Sequence, residues 1–169
     1  MTTDFLMEDL RKSTRELTEA LRLFSQEQLN QVPFPGSWTP GQVGQHLLKS
    51  ETGVTELLRG NTQTATRQPD AHHENIRSLF LDFNIKMESP EFIIPDNDPK
   101  DREQLIRSLE ENRESVLQAA SEQDLDLLLT DFDMPDWGPL SGQEWLTFMT
   151  VHSRRHTHQL HKIHQHLQG

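Results

Sequence analysis

The chain has no cysteine. Disulfides, thiolate nucleophiles and cysteine-based zinc sites are excluded. Tyrosine is also absent, and leucine outnumbers valine and isoleucine together by about two to one. Residues that favour strands are therefore scarce, and the balance leans to helix. Positive charge is limited: 16 basic against 27 acidic residues give a net charge of −11. That opposes general affinity for nucleic acid or anionic lipid, so no nucleic-acid partner is expected. No stretch approaches the ~20 apolar residues of a membrane span, so no membrane partner is expected either. The first eight residues hold two acids and no apolar core of a signal peptide, which leads to a cytoplasmic expectation. With 169 residues and 19.6 kDa, the chain fits one domain over residues 1–169.

Four helices follow from periodicity and capping signals. The first spans about Thr3 to Leu29, with Leu6, Leu10, Leu17, Leu21, Phe24 and Gln28 inward, and ends before the Pro33 and Pro35 region. In the second, Thr39-Pro40-Gly41-Gln42 is a capping box with proline at the first helical position. It is expected to reach Arg59, with Val43, His46, Leu47, Ser50, Val54, Leu57 and Leu58 inward. Residues 61–97 read as a long irregular connection holding one short helix over Glu74 to Phe83. Such a length implies either function or hidden structure. The third helix is placed from Asp98-Pro99 to about Ser121, with Leu105, Leu109, Asn112, Val116 and Ala119 inward. A second irregular stretch, Glu122 to Leu140, precedes the capping box Ser141-Gly142-Gln143-Glu144 and a helix running nearly to the C-terminus.

The histidines carry the chemistry. Six of the nine lie between His152 and His166 on this last helix. At 100° per residue they separate into different faces. The inward stripe is Trp145, Met149, His152, His156, Leu160 and Ile163, which puts two histidines one turn apart in the core. Such a pair can grip one divalent cation. Ser153 stands where the general-base glutamate of an HExxH protease would be, so peptide hydrolysis of that kind is not supported. His46, inward on the second helix, is the best third ligand, with His72 and His73 as fallback. Alternatively, each could be a separate core histidine. Three inward imidazoles on two helices favour a metal site, because one cation satisfies rings that are costly to bury unpaired. His158, His161, His164 and His166 read as a polar face. Trp38, Phe34 and Trp137 read as core caps that could line a pocket mouth. Arg154 and Arg155 read as a solvated face, and Asp131, Asp133 and Asp136 as turn residues.

The segment from Trp38 through Leu47 resembles the start of the second helix in DinB-like (YfiT-like) proteins. Gly138 through Phe148, continuing to His152-Ser153-Arg154-Arg155-His156 and Gln159-Leu160, is similar to their closing helix. Met87 through Pro95 is similar to a connection seen in some members. The resemblance implies an all-α four-helix bundle, often a homodimer, with long irregular connections after helices 2 and 3. It also implies a three-histidine metal centre at one end of the bundle. On matching positions the metal ligands are His46, His152 and His156, and the cation is zinc, nickel, iron or manganese.

Relatives of this kind include thiol S-transferases that use a low-molecular-weight thiol. The leading expectation is accordingly a transferase conjugating such a thiol to a small-molecule electrophile. Hydrolysis by metal-bound hydroxide is the alternative, and a non-catalytic metal-stabilised dimeric binding protein is the third reading. A fourth protein ligand, from Glu51, His72 or His73, would favour a structural metal over an open catalytic one.

Overall fold

The computed structural model describes residues 1–168. Its order is α1 (Thr3–Arg22), α2 (Gln26–Leu29), α3 (Pro40–Glu51), α4 (Val54–Leu58), β1 (Thr62–Gln63) and α5 (His73–Leu81). A 3-10 turn (Glu91–Ile93), α6 (Arg102–Glu122), β2 (Leu128–Leu129) and α7 (Gly142–Gln168) complete it. α1, α3, α6 and α7 form the bundle. α7 packs against α1 and α3, α6 packs against the same two helices, and α5 lies outside on α7. The fold is all-α, relieved by one two-stranded antiparallel ladder, Thr62 opposite Leu129 and Gln63 opposite Leu128.

Both capping boxes form. Thr39 Oγ1 accepts from the Gln42 N–H at 3.0 Å and Gln42 Oε1 accepts from the Thr39 N–H at 2.9 Å. Ser141 and Glu144 exchange the equivalent bonds at the start of α7, at 3.1 and 2.9 Å. The two helices that carry the histidines are thus fixed at their N-termini by local sequence.

Three expected helices are differently bounded. The first breaks after Arg22, because Ser25 and Gln28 form a further capping box that restarts the chain as α2. Leu29, not Gln28, then fills the core. The second stops at Glu51, since Gly53 adopts a left-handed conformation (φ +96°) before α4 begins. The third starts at Asp101, not Asp98. The Gln26 and Asn30 side chains bind the Lys100 backbone and hold the turn against α2, leaving Asp101 to accept from the Gln104 N–H at 2.8 Å. Close approach of α3 to α6 depends on Gly44, where a Cβ would stand 2.7 Å from Leu105 Cδ2.

The core has two apolar parts. One gathers Leu10, Val54, Leu58, Val116, Leu146 and Met149, and the other Leu17, Leu21, Leu47, Leu109, Leu160 and Ile163. Between them, each bundle helix contributes polar residues: Ser13 from α1, Glu51 and His46 from α3, Arg113 from α6, and His152 and Ser153 from α7. The histidines therefore lie midway along the bundle, not at one end. Arg113 and Glu51 are each 1% exposed and pair through Arg113 Nε and Glu51 Oε2 at 3.0 Å, while Arg113 Nη1 donates to Thr14 at 3.1 Å.

Candidate metal centre

The inward stripe of α7 places His152 and His156 on the side that faces α3, and His46 points back at them from the middle of α3. His152 Nε2 lies 3.1 Å from His46 Nε2 and 3.1 Å from His156 Nε2. All three donor nitrogens lie within 4.8 Å of one another, so the triad could hold a metal ion. Fallback residues are elsewhere. Glu51 is committed to Arg113, the His72 N–H donates to Glu144 at 2.8 Å, and His73 Nδ1 meets Thr147 Oγ1 at 2.9 Å. Among the described residues no fourth His, Asp or Glu joins the group.

The outer nitrogens fix the tautomers. His46 Nδ1–H donates to the Ile93 carbonyl at 2.9 Å, and His156 Nδ1–H donates to Gln159 Oε1 at 2.7 Å. Both Nε2 atoms then present lone pairs toward His152. His152 has one proton to share between two such neighbours, and its Nδ1 is buried with no partner among the described residues. Protein groups alone leave this cluster incompletely satisfied, whereas a cation accepting three Nε2 lone pairs fits it. Burial also holds the rings in the neutral form that ligation requires. Desolvation lowers the pKa of His46, partly offset by its bond to Ile93. It drives His152 well below the usual value, assisted by the neighbouring His156 and His46. It brings His156 to about 3.

The triad forms one wall of a cavity of about 460 Å³ whose other walls are largely apolar. Phe80, Phe148, Trp145 and Leu79 come from α5 and α7. Phe148 stacks on His152 with centroids 5.1 Å apart, and Phe80 meets the same ring edge-on at 5.5 Å. The long connection, irregular in the sequence reading, crosses this cavity with Met87 to Pro90, Phe92 and Ile93 and supplies the carbonyl that orients His46. Trp137 lines the cavity from the second connection, Trp38 packs on His46 at 5.0 Å, and Phe34 is exposed, against His166.

The arginines differ from the solvated face expected. Arg154 pairs with Asp9 at 2.7 Å and Glu16 at 3.2 Å, joining α7 to α1. Arg155 lines the cavity and donates to the carbonyls of Phe80, Asp82 and Ile85. His161 and His166 are exposed as expected, and His158 stacks on Phe83 at 4.0 Å. Asp131 accepts from Asn61 N–H and Nδ2, a turn role, and Asp136 takes a left-handed φ of 72°.

Sequence reasoning missed Gln159, Phe80 and the wall formed by residues 87–93. Gln159 was findable, three residues beyond His156 and on the same helix face. Phe80 and the wall were not, since their approach to α7 comes from a connection without periodicity. Among the described residues, no helix is long and apolar enough to cross a membrane.

The profile of the DinB superfamily matches residues 9–160. An uncharacterized protein of Bacillus subtilis (strain 168), YuaE, is 26% identical over 151 residues, covering 88% of this chain and 90% of that protein. No solved structure matches.

Proposed function

The chain belongs to the DinB superfamily, and from that premise we propose that it is a metal-dependent transferase joining a low-molecular-weight thiol to a small electrophile. The observation that carries this reading is the convergence of three neutral imidazoles on one wall of an apolar cavity. His46, His152 and His156 would hold a divalent cation, and an all-imidazole set suits zinc, nickel or iron better than manganese, which prefers oxygen ligands. A cation bound there supplies Lewis acidity, which acidifies a thiol or water and polarises an oxygen.

The residues of the chain do the positioning. Ile93 and Gln159 lock two rings with Nε2 facing His152. Phe80 and Phe148 flank His152 and make that side of the site apolar. The chain needs no nucleophile of its own, since the thiol enters as cosubstrate; this agrees with the absence of cysteine. Hydrolysis would be better served by a carboxylate base beside the imidazoles, and the triad includes none. A purely structural cation would favour a fourth protein ligand, and none joins among the described residues.

The test begins with metal content by mass spectrometry, on untagged protein purified without chelating resin, for wild type and His46→Ala. One divalent ion per chain, lost in the variant, supports the centre. Metal-dependent consumption of a small thiol with a model electrophile then supports the transferase. A protein that neither carries nor takes up metal at neutral pH would overturn both.

A further inference from the structure

The cavity has one fixed cationic group besides the candidate centre. Eight of the eleven arginines reach a carboxylate within 4.0 Å: Arg11, Arg15, Arg22, Arg59, Arg67, Arg102, Arg113 and Arg154. Arg155 reaches none among the described residues, although the chain carries 27 acids. Three backbone carbonyls hold its guanidinium: Nη1 donates to Phe80 at 3.3 Å and Asp82 at 2.9 Å, and Nη2 donates to Ile85. Carbonyl oxygens fix the group without cancelling its charge. Of its five N–H donors, the Nε–H and the second Nη2–H have no partner among the described residues.

Arg155 precedes His156 in sequence and lines the same cavity. Its positive charge acts on both His152 and His156. Three acids are near: Asp82, whose charge bears on Arg155 while its carbonyl accepts the bond, and Glu88 and Asp136, exposed on the cavity lining. None forms an ion pair with the guanidinium. Phe80, Phe148, Met87 and Trp137 are among the apolar residues that line the same cavity.

We propose that this cavity takes an amphipathic organic acid, its carboxylate on the free N–H donors of Arg155 and its apolar body against Phe80, Phe148 and Trp137. A preorganised guanidinium suits a planar carboxylate, and an aromatic wall suits an aryl or alkyl body. The inference rests on the reading of this cavity as the substrate site, and it makes the electrophile an acid. It does not need the cation.

The experiment uses chelator-treated, metal-free protein and compares 4-phenylbutyrate with its neutral amide, 4-phenylbutanamide, by titration calorimetry. Tryptophan fluorescence is a second readout, because Trp137 and Trp145 line the cavity. Wild type should bind the acid about tenfold or more tighter than the amide, the gain of one charge-assisted hydrogen bond. Arg155→Gln should abolish that preference and leave amide binding unchanged. If Arg155→Gln lost both ligands through collapse of the wall, Arg155→Lys would decide: a retained preference for the acid supports the proposal, and its loss overturns it. Equal binding of acid and amide by wild type, or no binding of the acid at millimolar concentration, also overturns it. Failure here with metal still bound by the triad would leave the metal centre intact and remove only the acid; absence of metal with the acid preference present would do the reverse.

Discussion

His152 Nε2 stands 3.1 Å from both His46 Nε2 and His156 Nε2, so a ring from α7 is the common neighbour of one ring from α3 and one from its own helix. Since the outer two rings spend their protons on Ile93 and Gln159, at most one of these contacts holds a hydrogen bond. Losing His152 removes the shared member, while losing His158, which stacks on Phe83 away from the triad, removes nothing from it. His152→Ala and His156→Ala should each abolish metal uptake with helical content kept, because the apolar stripes remain. His158→Ala should bind metal as wild type does. Circular dichroism and metal titration check both; equal losses in all three variants would contradict the assignment of faces.

Acid should weaken the metal-free protein in a defined window. In the unfolded chain the three histidines titrate near 6.5, whereas burial lowers all three in the fold, His156 to about 3. Below pH 6.5 the unfolded state therefore binds more protons, and stability falls as pH falls, until the folded groups also protonate. Each such histidine costs about 1.4 kcal/mol per pH unit within that window. Urea midpoints between pH 7.5 and 4.5 should decline in wild type and decline less in a His46→Leu, His156→Leu double variant. Metal held by the folded protein should be released only toward the acidic end of that range, where protons begin to compete for the Nε2 lone pairs of the buried rings.

The capping boxes and the 3–4 residue spacing of α7 make the helical fold and the inward facing of His46, His152 and His156 readable in the sequence, because both are local signals. Arg113 was not readable. It sits on α6 among polar neighbours, and its burial depends on Glu51, 62 positions away in sequence. The wall over the cavity was equally hidden, for Met87 to Ile93 lack periodicity and gain their place from anchors at each end. Asp98-Pro99 looked like a helix start by local rules, and only the distant side chains of Gln26 and Asn30 moved it to Asp101.

The Arg113–Glu51 pair provides a stability prediction that does not depend on metal. Both side chains are 1% exposed, and removing one would strand the other charge in the core. Glu51→Leu should cost about 3–5 kcal/mol, a fall in Tm on the order of 10 °C. Adding Arg113→Met should recover most of that loss, because two apolar residues of similar volume leave no buried charge. Thermal melts of the two single variants and the double variant form the required cycle. A double variant as unstable as the worse single one would show that the pair itself is needed.

The segment over the cavity should respond to metal. At one end Arg155 binds the carbonyls of Phe80, Asp82 and Ile85; at the other the Ile93 carbonyl accepts from His46 and the Ile94 carbonyl accepts from Lys49 Nζ at 2.9 Å. Between these anchors, no hydrogen bond among the described residues ties Lys86 to Phe92 to the rest of the bundle. Opening the segment at Ile93 would free His46 Nδ1, so a cation that needs His46 oriented favours the closed position. By linkage, a closed segment favours the cation to the same degree. Zinc should therefore slow hydrogen exchange and limited proteolysis within residues 86–94. Lys49→Ala, which releases the Ile94 carbonyl, should weaken zinc binding by a few-fold, in keeping with the loss of one partly exposed hydrogen bond. Exchange in this segment that is indifferent to zinc, with zinc affinity unchanged in Lys49→Ala, would show that the wall and the centre are energetically separate.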